Sequence, residues 1–168
     1  MTASTEAPGP AGAGPARTGS AFLLAQIGAH AAGRFAERVA VLGLGPADVG
    51  LLRLIAGEPG RSQQSLAAAL GVVPSRVVAL IDGLERKGLV ERRRSTADRR
   101  NYELHLTGEA KQVMARMREV GSAHEEDMLS GLDATERAQL AALLGKVAAQ
   151  QGLTPGVHPG YRMGGAGR

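Results

Sequence analysis

The chain has 168 residues, of which 43% are hydrophobic, and this composition suits one modest globular domain. It contains no cysteine, which excludes thiol catalysis, disulfides and thiolate metal sites. The net charge is +4, and a basic excess is concentrated between Arg92 and Arg100, where five arginines stand against Asp98 alone. A basic surplus in one short segment favours contact with a polyanion, although a solvated arginine-rich hairpin is the alternative.

Both ends of the chain are predicted to be disordered tails. Residues 1–18 and 152–168 are rich in glycine and proline and hold too few large apolar groups to offset the entropy of ordering. The N-terminal segment lacks the basic start and apolar block of a signal peptide, and no apolar run approaches the roughly 20 residues of a membrane span. We therefore expect a cytoplasmic protein without a membrane partner, with a single domain over residues 19–151.

Two helices are predicted first in chain order. Apolar residues at spacings of three and four, from Leu24 to Leu42, indicate a long amphipathic helix over about residues 20–43. The segment GLGP ends that helix, and Pro46 suits the first turn of a second one. Because the second helix is apolar almost all round, we expect it to be buried.

The next segment predicts a helix, a tight turn and a second helix. The first runs from about Ser62 to Leu70, and the second begins at Pro74, where the missing N–H of proline is harmless. Gly88 stands where a left-handed cap would end the second helix.

The outward face of the second helix begins with small polar residues and an arginine. Such a face can enter a DNA major groove with its first turn. Arg76 is then predicted to donate two hydrogen bonds from its guanidinium to guanine O6 and N7. Ser75 is predicted to contact a base edge or a phosphate. An ordinary amphipathic helix with one exposed arginine would show the same pattern. The pattern of this helix alone therefore does not distinguish a DNA-binding helix from one that does not bind DNA.

Two short strands, LVERR and NYELHL, follow this helix, and the charged loop RSTADRR lies between them. A hairpin directly after a recognition helix is a wing, whose arginines can reach backbone phosphates or a narrow, strongly negative minor groove. Asp98 is predicted to hold Arg99 or Arg100 in one direction, which would reduce the entropy lost on binding.

These segments, in this order, resemble the winged helix-turn-helix core of the multiple-antibiotic-resistance-regulator (MarR) family. The Leu-Glu-x-x-Gly-Leu-Val-x-Arg hinge of that family is matched at residues 84–92, its Asp-x-Arg wing at 98–100 and its Leu-Thr helix start at 106–107. The resemblance covers about residues 20–150. One departure is Val73, where many members place a polar N-cap, so the register of the helix on the bases is open by one residue.

The resemblance implies a mainly α fold with a small β-hairpin wing. The winged helix-turn-helix core would cover about residues 46–106, flanked by dimerisation helices over about 20–43 and 107–151. The implied function is a dimeric, sequence-specific regulator of transcription that binds double-stranded DNA and is not an enzyme. The residues predicted to contact DNA are Ser62, Gln63, Ser75, Arg76, Ala79, Arg94, Asp98, Arg99 and Arg100.

Two further amphipathic helices are predicted after the wing. Thr107 is a predicted N-cap for the first, and Asp133 with Glu136 predicts a capping box for the second. Their apolar stripes exceed what a small winged domain needs for its own core, which favours burial against a second copy. A two-fold dimer would present its recognition helices about 34 to 36 Å apart, so its operator should be a near-palindrome.

The resemblance also implies control by a small molecule, often an anionic aromatic, bound between the dimer helices and the winged lobe. His30, Arg34 and Arg38 are candidate residues for such a cleft, and ordinary positions at the rim of the dimer are the alternative. No cofactor is predicted.

Two functions of other classes stay open from the sequence. The winged domain is consistent with a protein-interaction module that binds an acidic partner and leaves no footprint on DNA. The second alternative is a metal-responsive regulator that uses His30, His105 or His124 with nearby carboxylates, although His124 falls on an apolar stripe and fits a packed or interface histidine better.

Overall fold

The structure, a computed structural model, describes residues 19–95 and 101–156. Within those ranges the fold is mainly helical with one antiparallel hairpin, as the sequence predicts. The elements are α1 (Ser20–Ala40), α2 (Pro46–Gly57), α3 (Gln63–Leu70), α4 (Pro74–Arg86), β1 (Val90–Arg94), β2 (Tyr102–Leu106), α5 (Gly108–Leu129) and α6 (Ala134–Gln150).

The hydrophobic core lies in the part of the chain between α2 and the start of α5. Helix α2 is buried as its composition predicts, because Leu51, Leu52 and Ile55 have no exposed surface. Helix α4, strand β2 and helices α1 and α5 pack against it, and α3 packs against α4 and β2. The largest fully buried side chains are Leu51, Leu52, Ile55, Leu66, Leu70, Ile81, Leu84, Leu104, Val39 and Val77.

The ends of α3 and α4 are set by local sequence. The Ser62 hydroxyl oxygen accepts a hydrogen bond from the Ser65 amide at 3.1 Å, and Pro74 occupies the start of α4. Gly88 has a φ of +69°, which confirms the predicted left-handed cap. Val73 precedes α4 without a side-chain capping bond, so the first turn of that helix lacks one, as expected.

The two strands form the predicted hairpin, with Val90 opposite Leu106 and Arg94 opposite Tyr102. The hairpin continues to Ser95, whose amide donates to the Asn101 carbonyl at 3.0 Å. Residues 96–100 lie outside the described residues, so the predicted wing contacts of Asp98, Arg99 and Arg100 remain predictions.

Helix α5 is joined to the end of α4 by Thr107. Its hydroxyl donates to the Gly88 carbonyl at 2.7 Å and accepts from the Ala110 amide at 3.1 Å, so the predicted N-cap is confirmed. The predicted capping box of α6 is also confirmed, because Asp133 and Glu136 bind each other's backbone amides at 2.9 Å.

The terminal helices leave apolar side chains uncovered within one chain. Residues 20–30 of α1 are all exposed, with Phe22 at 60% and Ile27 at 54%. Helix α6 has no buried residue, and Leu143 is 60% exposed. No single helix in the described ranges is long and apolar enough to cross a membrane, whereas the bent pair α3 and α4 passes by length and composition alone.

Candidate nucleic-acid interface

The outward face of α4 is the first surface of the candidate interface. Ser75 and Ala79 are exposed on it, as the sequence predicts for residues that contact DNA. Val78 lies on the same face and is 37% exposed, and Val73, just before the helix, is 65% exposed. The opposite face carries Val77, Ile81 and Leu84 into the core, which holds α4 against the domain and directs the outer face to solvent.

Arg76 lies at the edge of that face and is half-buried. It lines a cavity between α4 and helices α1, α2 and α5. Arg86, the last residue of α4, is exposed, and its Nε atom donates to the Asp82 carbonyl at 3.3 Å. Arg76 therefore adjoins both the recognition face and the cavity.

Arg92 of β1 joins three elements, a role that sequence reasoning did not identify. Its guanidinium binds Glu85 of α4 and Asp82 of the same helix, the latter at 2.6 Å. With its amide oxygen turned toward β1, Gln63 of α3 accepts from Arg92 Nε at 2.9 Å and Nη2 at 2.6 Å. We call these four residues the Arg92 clamp, because they fix the wing against both helices of the helix-turn-helix pair.

The remaining strand arginines of the wing point to different partners. Arg93 binds Glu91 on its own strand, so part of its charge is balanced within the hairpin. The Arg94 guanidinium carbon lies 5.5 Å from the centroid of the Tyr102 ring, a cation–π contact that leaves the charge in place. Arg93 and Arg94 are both exposed on β1 toward the tip of the hairpin.

A carboxylate lies beside the arginines on the second strand. Hydrogen bonds from Ser95 and then His105 hold the pKa of Glu103 below its ordinary value. The His105 Nε2 atom lies 3.3 Å from the Glu103 carboxylate. Glu103 is therefore charged at neutral pH, opposite Arg93 in the hairpin.

The start of α3 contributes the other two predicted contacts. Ser62 is its N-cap, and Gln63 is its first residue, both half-buried. A capping hydroxyl that accepts from a backbone amide keeps its own hydrogen free to donate, so Ser62 can still donate to a phosphate. Gln63, with its oxygen engaged by Arg92, likewise keeps its amide N–H groups for an acceptor.

The cavity beside α4 has a volume of about 670 Å³. Small residues of α1, among them Ala31 and Ala32, leave the space that it occupies, and Phe35 supplies an aromatic wall. The Phe35 ring lies 5.5 Å from the imidazole of His124. The residues that line the cavity are Gly28, Ala31, Ala32, Phe35, Pro46, Ala47, Val49, Gly50, Arg53, Arg76, His124 and Gly156.

Polar groups in this cavity are few and mostly basic. Arg53 and Arg76 line it, together with His124, whose buried Nδ1 atom has no hydrogen-bond partner among the described residues. An apolar chamber with two guanidinium groups and an imidazole suits a ligand with an apolar or aromatic body and a negative charge.

The three residues predicted for an effector cleft lie elsewhere on α1. His30 is exposed, and Arg34 and Arg38 bind the Asp127 carboxylate of α5 at 3.1 and 2.7 Å. Hydrogen bonds from Arg34 and then Arg38 hold the pKa of Asp127 below its ordinary value. His30, Arg34 and Arg38 are not among the described residues that line the cavity. In this chain the two arginines join α1 to α5.

No group of three or more histidine, aspartate or glutamate side chains in the described ranges has the geometry to hold a metal ion. His124 is packed against Phe35, as its place on an apolar stripe predicts.

Comparison with known proteins gives concordant matches. The sequence model of the MarR family matches residues 42–101. A candidate transcriptional regulatory protein for the hcr operon of Thauera aromatica is 38% identical over 113 residues, which make up 67% of this chain and 68% of that protein.

Two solved structures extend the similarity to the fold. One is the transcriptional repressor CouR bound to a 23-mer DNA duplex, with a TM-score of 0.69 and 32% identity over 77% of this chain and 92% of that one. The other is a MarR family protein of Mycobacterium tuberculosis in complex with p-aminosalicylic acid, with a TM-score of 0.63 and 24% identity over 78% of this chain and 99% of that one.

Proposed function

Because the chain belongs to the MarR family of transcriptional regulators, which are not enzymes, we propose that it is a cytoplasmic homodimeric repressor of a near-palindromic operator in double-stranded DNA. The observation that carries the proposal is the Arg92 clamp. It holds an arginine-bearing wing at a fixed orientation to α4, whose outer face is free of the core. A fixed helix and wing can enter the major groove and the flanking backbone together.

In this proposal the contacts divide by position. Residues of α4 meet base edges, whereas the start of α3 and the wing meet phosphates or the minor groove. The base-edge contacts are assigned to Ser75, Arg76 and Ala79, and the others to Ser62, Gln63, Arg94, Asp98, Arg99 and Arg100.

The dimer is supported by the exposed apolar side chains of α1 and α6. Phe22, Ile27 and Leu143 are each more than half exposed. Monomeric proteins rarely leave contiguous apolar surface of this kind in water. Burial against the same helices of a second copy would cover it and would place two recognition helices on one side of the assembly.

Ligand control is supported by the cavity next to α4. Its apolar wall and its basic groups Arg53 and Arg76 suit an anionic aromatic molecule. A ligand acts on DNA binding only if it binds the free and DNA-bound arrangements with different affinities. Contact with Arg76 would satisfy that condition, since this residue is shared with the recognition face.

Selection of bound duplexes from a random library tests the DNA-binding part. A regulator of this type enriches one motif with two related half-sites. A protein-interaction module enriches none, and this outcome would refute the proposal.

Titration of the protein–operator complex with p-aminosalicylate tests the ligand-binding part. We expect DNA to be released at ligand concentrations that also shift the NMR signals of the cavity residues. In Arg53→Ala, we expect a higher ligand concentration to be needed for the release of DNA. Release that is unchanged by Arg53→Ala, or ligand signals confined to residues outside the cavity, would contradict the assignment of the site.

A further inference from the structure

The middle of the exposed α4 face is apolar. Val73 is 65% exposed and Val78 is 37% exposed. Ala79, the residue after Val78, is exposed as well. Ser75 lies among them, and Asp82, which is also exposed, follows Val78 by about one turn on the same face. This composition is unusual for a surface that would contact base edges through forked hydrogen bonds.

The longer polar side chains of α4 lie at the borders of this apolar strip, where they have other contacts. Arg76 is half-buried along the cavity. Asp82 is bound by Arg92 at 2.6 Å. Arg86 follows Val78 by eight positions, which corresponds to about 12 Å along a helix. The middle of the face, defined by Val73, Val78 and Ala79, therefore has no described arginine, lysine, asparagine or glutamine of its own.

The major groove offers one group that suits such a strip. Each base edge there presents hydrogen-bond donors and acceptors, and thymine alone adds an apolar 5-methyl group. Burial of a methyl group between the DNA and an apolar side chain removes apolar surface from water on both sides. The positive charge of Arg94 on the adjoining wing and the DNA-bound state of the CouR relative favour DNA as the occupant of this face over a protein partner.

We infer that Val78 and Ala79 recognise thymine methyl groups, so that each half-site carries T·A pairs beneath the middle of α4. The inference rests on the proposed function, since it assumes that α4 enters the major groove. It adds the chemical class of the bases that this particular helix selects. Val73, at the start of the helix, extends the same apolar contact by one position.

Deoxyuridine substitution tests this inference without any change in the protein. Deoxyuridine pairs like thymidine but lacks the 5-methyl group, so hydrogen bonds and charge stay the same. The duplex selected from a random library is resynthesised with deoxyuridine at one T·A pair at a time. We expect a loss of affinity of about fourfold for each contacted methyl group, and about 16-fold when the symmetric position is changed as well.

Variants of the chain locate the contact. Val78→Ala should weaken binding to the thymidine duplex and abolish the penalty at the deoxyuridine position that faces it. Alanine has the higher helix propensity, so unfolding of α4 would not account for the loss. Val41→Ala is the matched control, because Val41 is 81% exposed beyond the end of α1, and it should retain the full deoxyuridine penalty.

The outcomes separate this inference from the proposed function. If no duplex is enriched, DNA recognition itself fails and the inference falls with it. If a duplex is enriched but binds equally well with deoxyuridine at every position, the protein recognises DNA and the thymine contact is wrong. A penalty that persists unchanged in Val78→Ala would also overturn the assignment to this face.

Discussion

Arg76 borders two surfaces, the outer face of α4 and the cavity behind it. A half-buried guanidinium is more restricted than one on a free surface, so less entropy is lost when it binds. The same position brings any anion in the cavity within its field. A single side chain thus connects the two proposed binding activities.

Arg76→Ala tests its contact with a base. We expect a cost of about 1 to 3 kcal/mol on the cognate duplex, relaxed preference at one base pair of each half-site and little loss on random DNA. Competition binding with a set of single-base operator variants measures this. Arg53→Ala, which removes the other cavity arginine, is the control and should leave base preference intact. Equal loss on all sequences would assign Arg76 to the backbone or to stability instead.

Asp98, in the wing tip outside the described residues, provides a test in which two explanations predict opposite signs. Asp98→Ala raises the net charge, so electrostatics alone predicts tighter binding. If Asp98 orients Arg99 or Arg100, specific binding should become weaker despite the added charge. Affinity on cognate and random duplexes at several salt concentrations distinguishes them. Equal tightening on both duplexes would mean that the tip is only a charged loop.

The Arg92 clamp is the feature that decides geometry at the scale of elements. A single exposed ion pair stabilises a fold little, but several charges in one network contribute more. Here one guanidinium is shared by α4 and α3 and is anchored on β1. Arg92 lies on the wing, and its partners lie on α3 and α4, the helices that would contact DNA. Loss of the clamp should therefore disturb the orientation of the wing relative to these helices.

Asp82→Asn tests the clamp against simple electrostatics. The variant removes a negative charge close to DNA, so a charge-only account predicts tighter binding. The clamp predicts weaker cognate binding, by about fivefold for a loss of roughly 1 kcal/mol. Glu119→Gln, an equal charge change on an exposed residue of α5, should tighten binding slightly or not alter it. Tightening of cognate binding by Asp82→Asn beyond that control would contradict the orienting role.

The junction of α1 and α5 should respond to acid through Asp127. Because Arg34 and Arg38 hold its pKa below the ordinary value, their stabilisation is present above the ordinary carboxyl pKa and is lost as the pH falls through the lowered one. Thermal unfolding as a function of pH should show Asp127→Asn less stable than the parent near neutrality, with the difference closing in acid. A constant difference across that range would show that the carboxylate charge is not what matters.

Local features were predicted well from the sequence because their causes are local. Pro74, Gly88 and Thr107 act on backbone groups within a few positions, and each occupies its expected place. The hairpin was also predicted, with β1 starting one residue later than the segment LVERR.

Long-range contacts were the part that the sequence did not predict. Arg34 and Arg38 meet Asp127, which lies 93 and 89 positions away, so their role depends on how α1 crosses α5. Arg92 lies only 7 and 10 positions from Glu85 and Asp82, but this pairing depends on how β1 turns back along α4. The sequence did contain one indication of this pair. Glu85 and Arg92 are the glutamate and the final arginine of the hinge motif, and the structure shows them bound to each other. Val78 could not be predicted as a contact residue, because a valine has no hydrogen-bonding group that indicates DNA binding in the sequence.

At the scale of the whole molecule, the apolar side chains form two populations. One fills the core between α2 and the start of α5, and the other lies exposed along α1 and α6. The first population accounts for a folded winged domain. The proposed dimer would cover the second, because a second copy with the same two helices is self-complementary. The proposed DNA contacts and the proposed dimer contacts therefore lie on different elements of the fold.

The most direct test of this account is the stoichiometry and symmetry of the complex with the selected duplex. Light scattering of the complex, combined with a footprint at single-base resolution, measures both. We predict two chains per duplex and two protected half-sites centred about 10 to 10.5 base pairs apart. One chain on a whole site, or a duplex without two related half-sites, would contradict it.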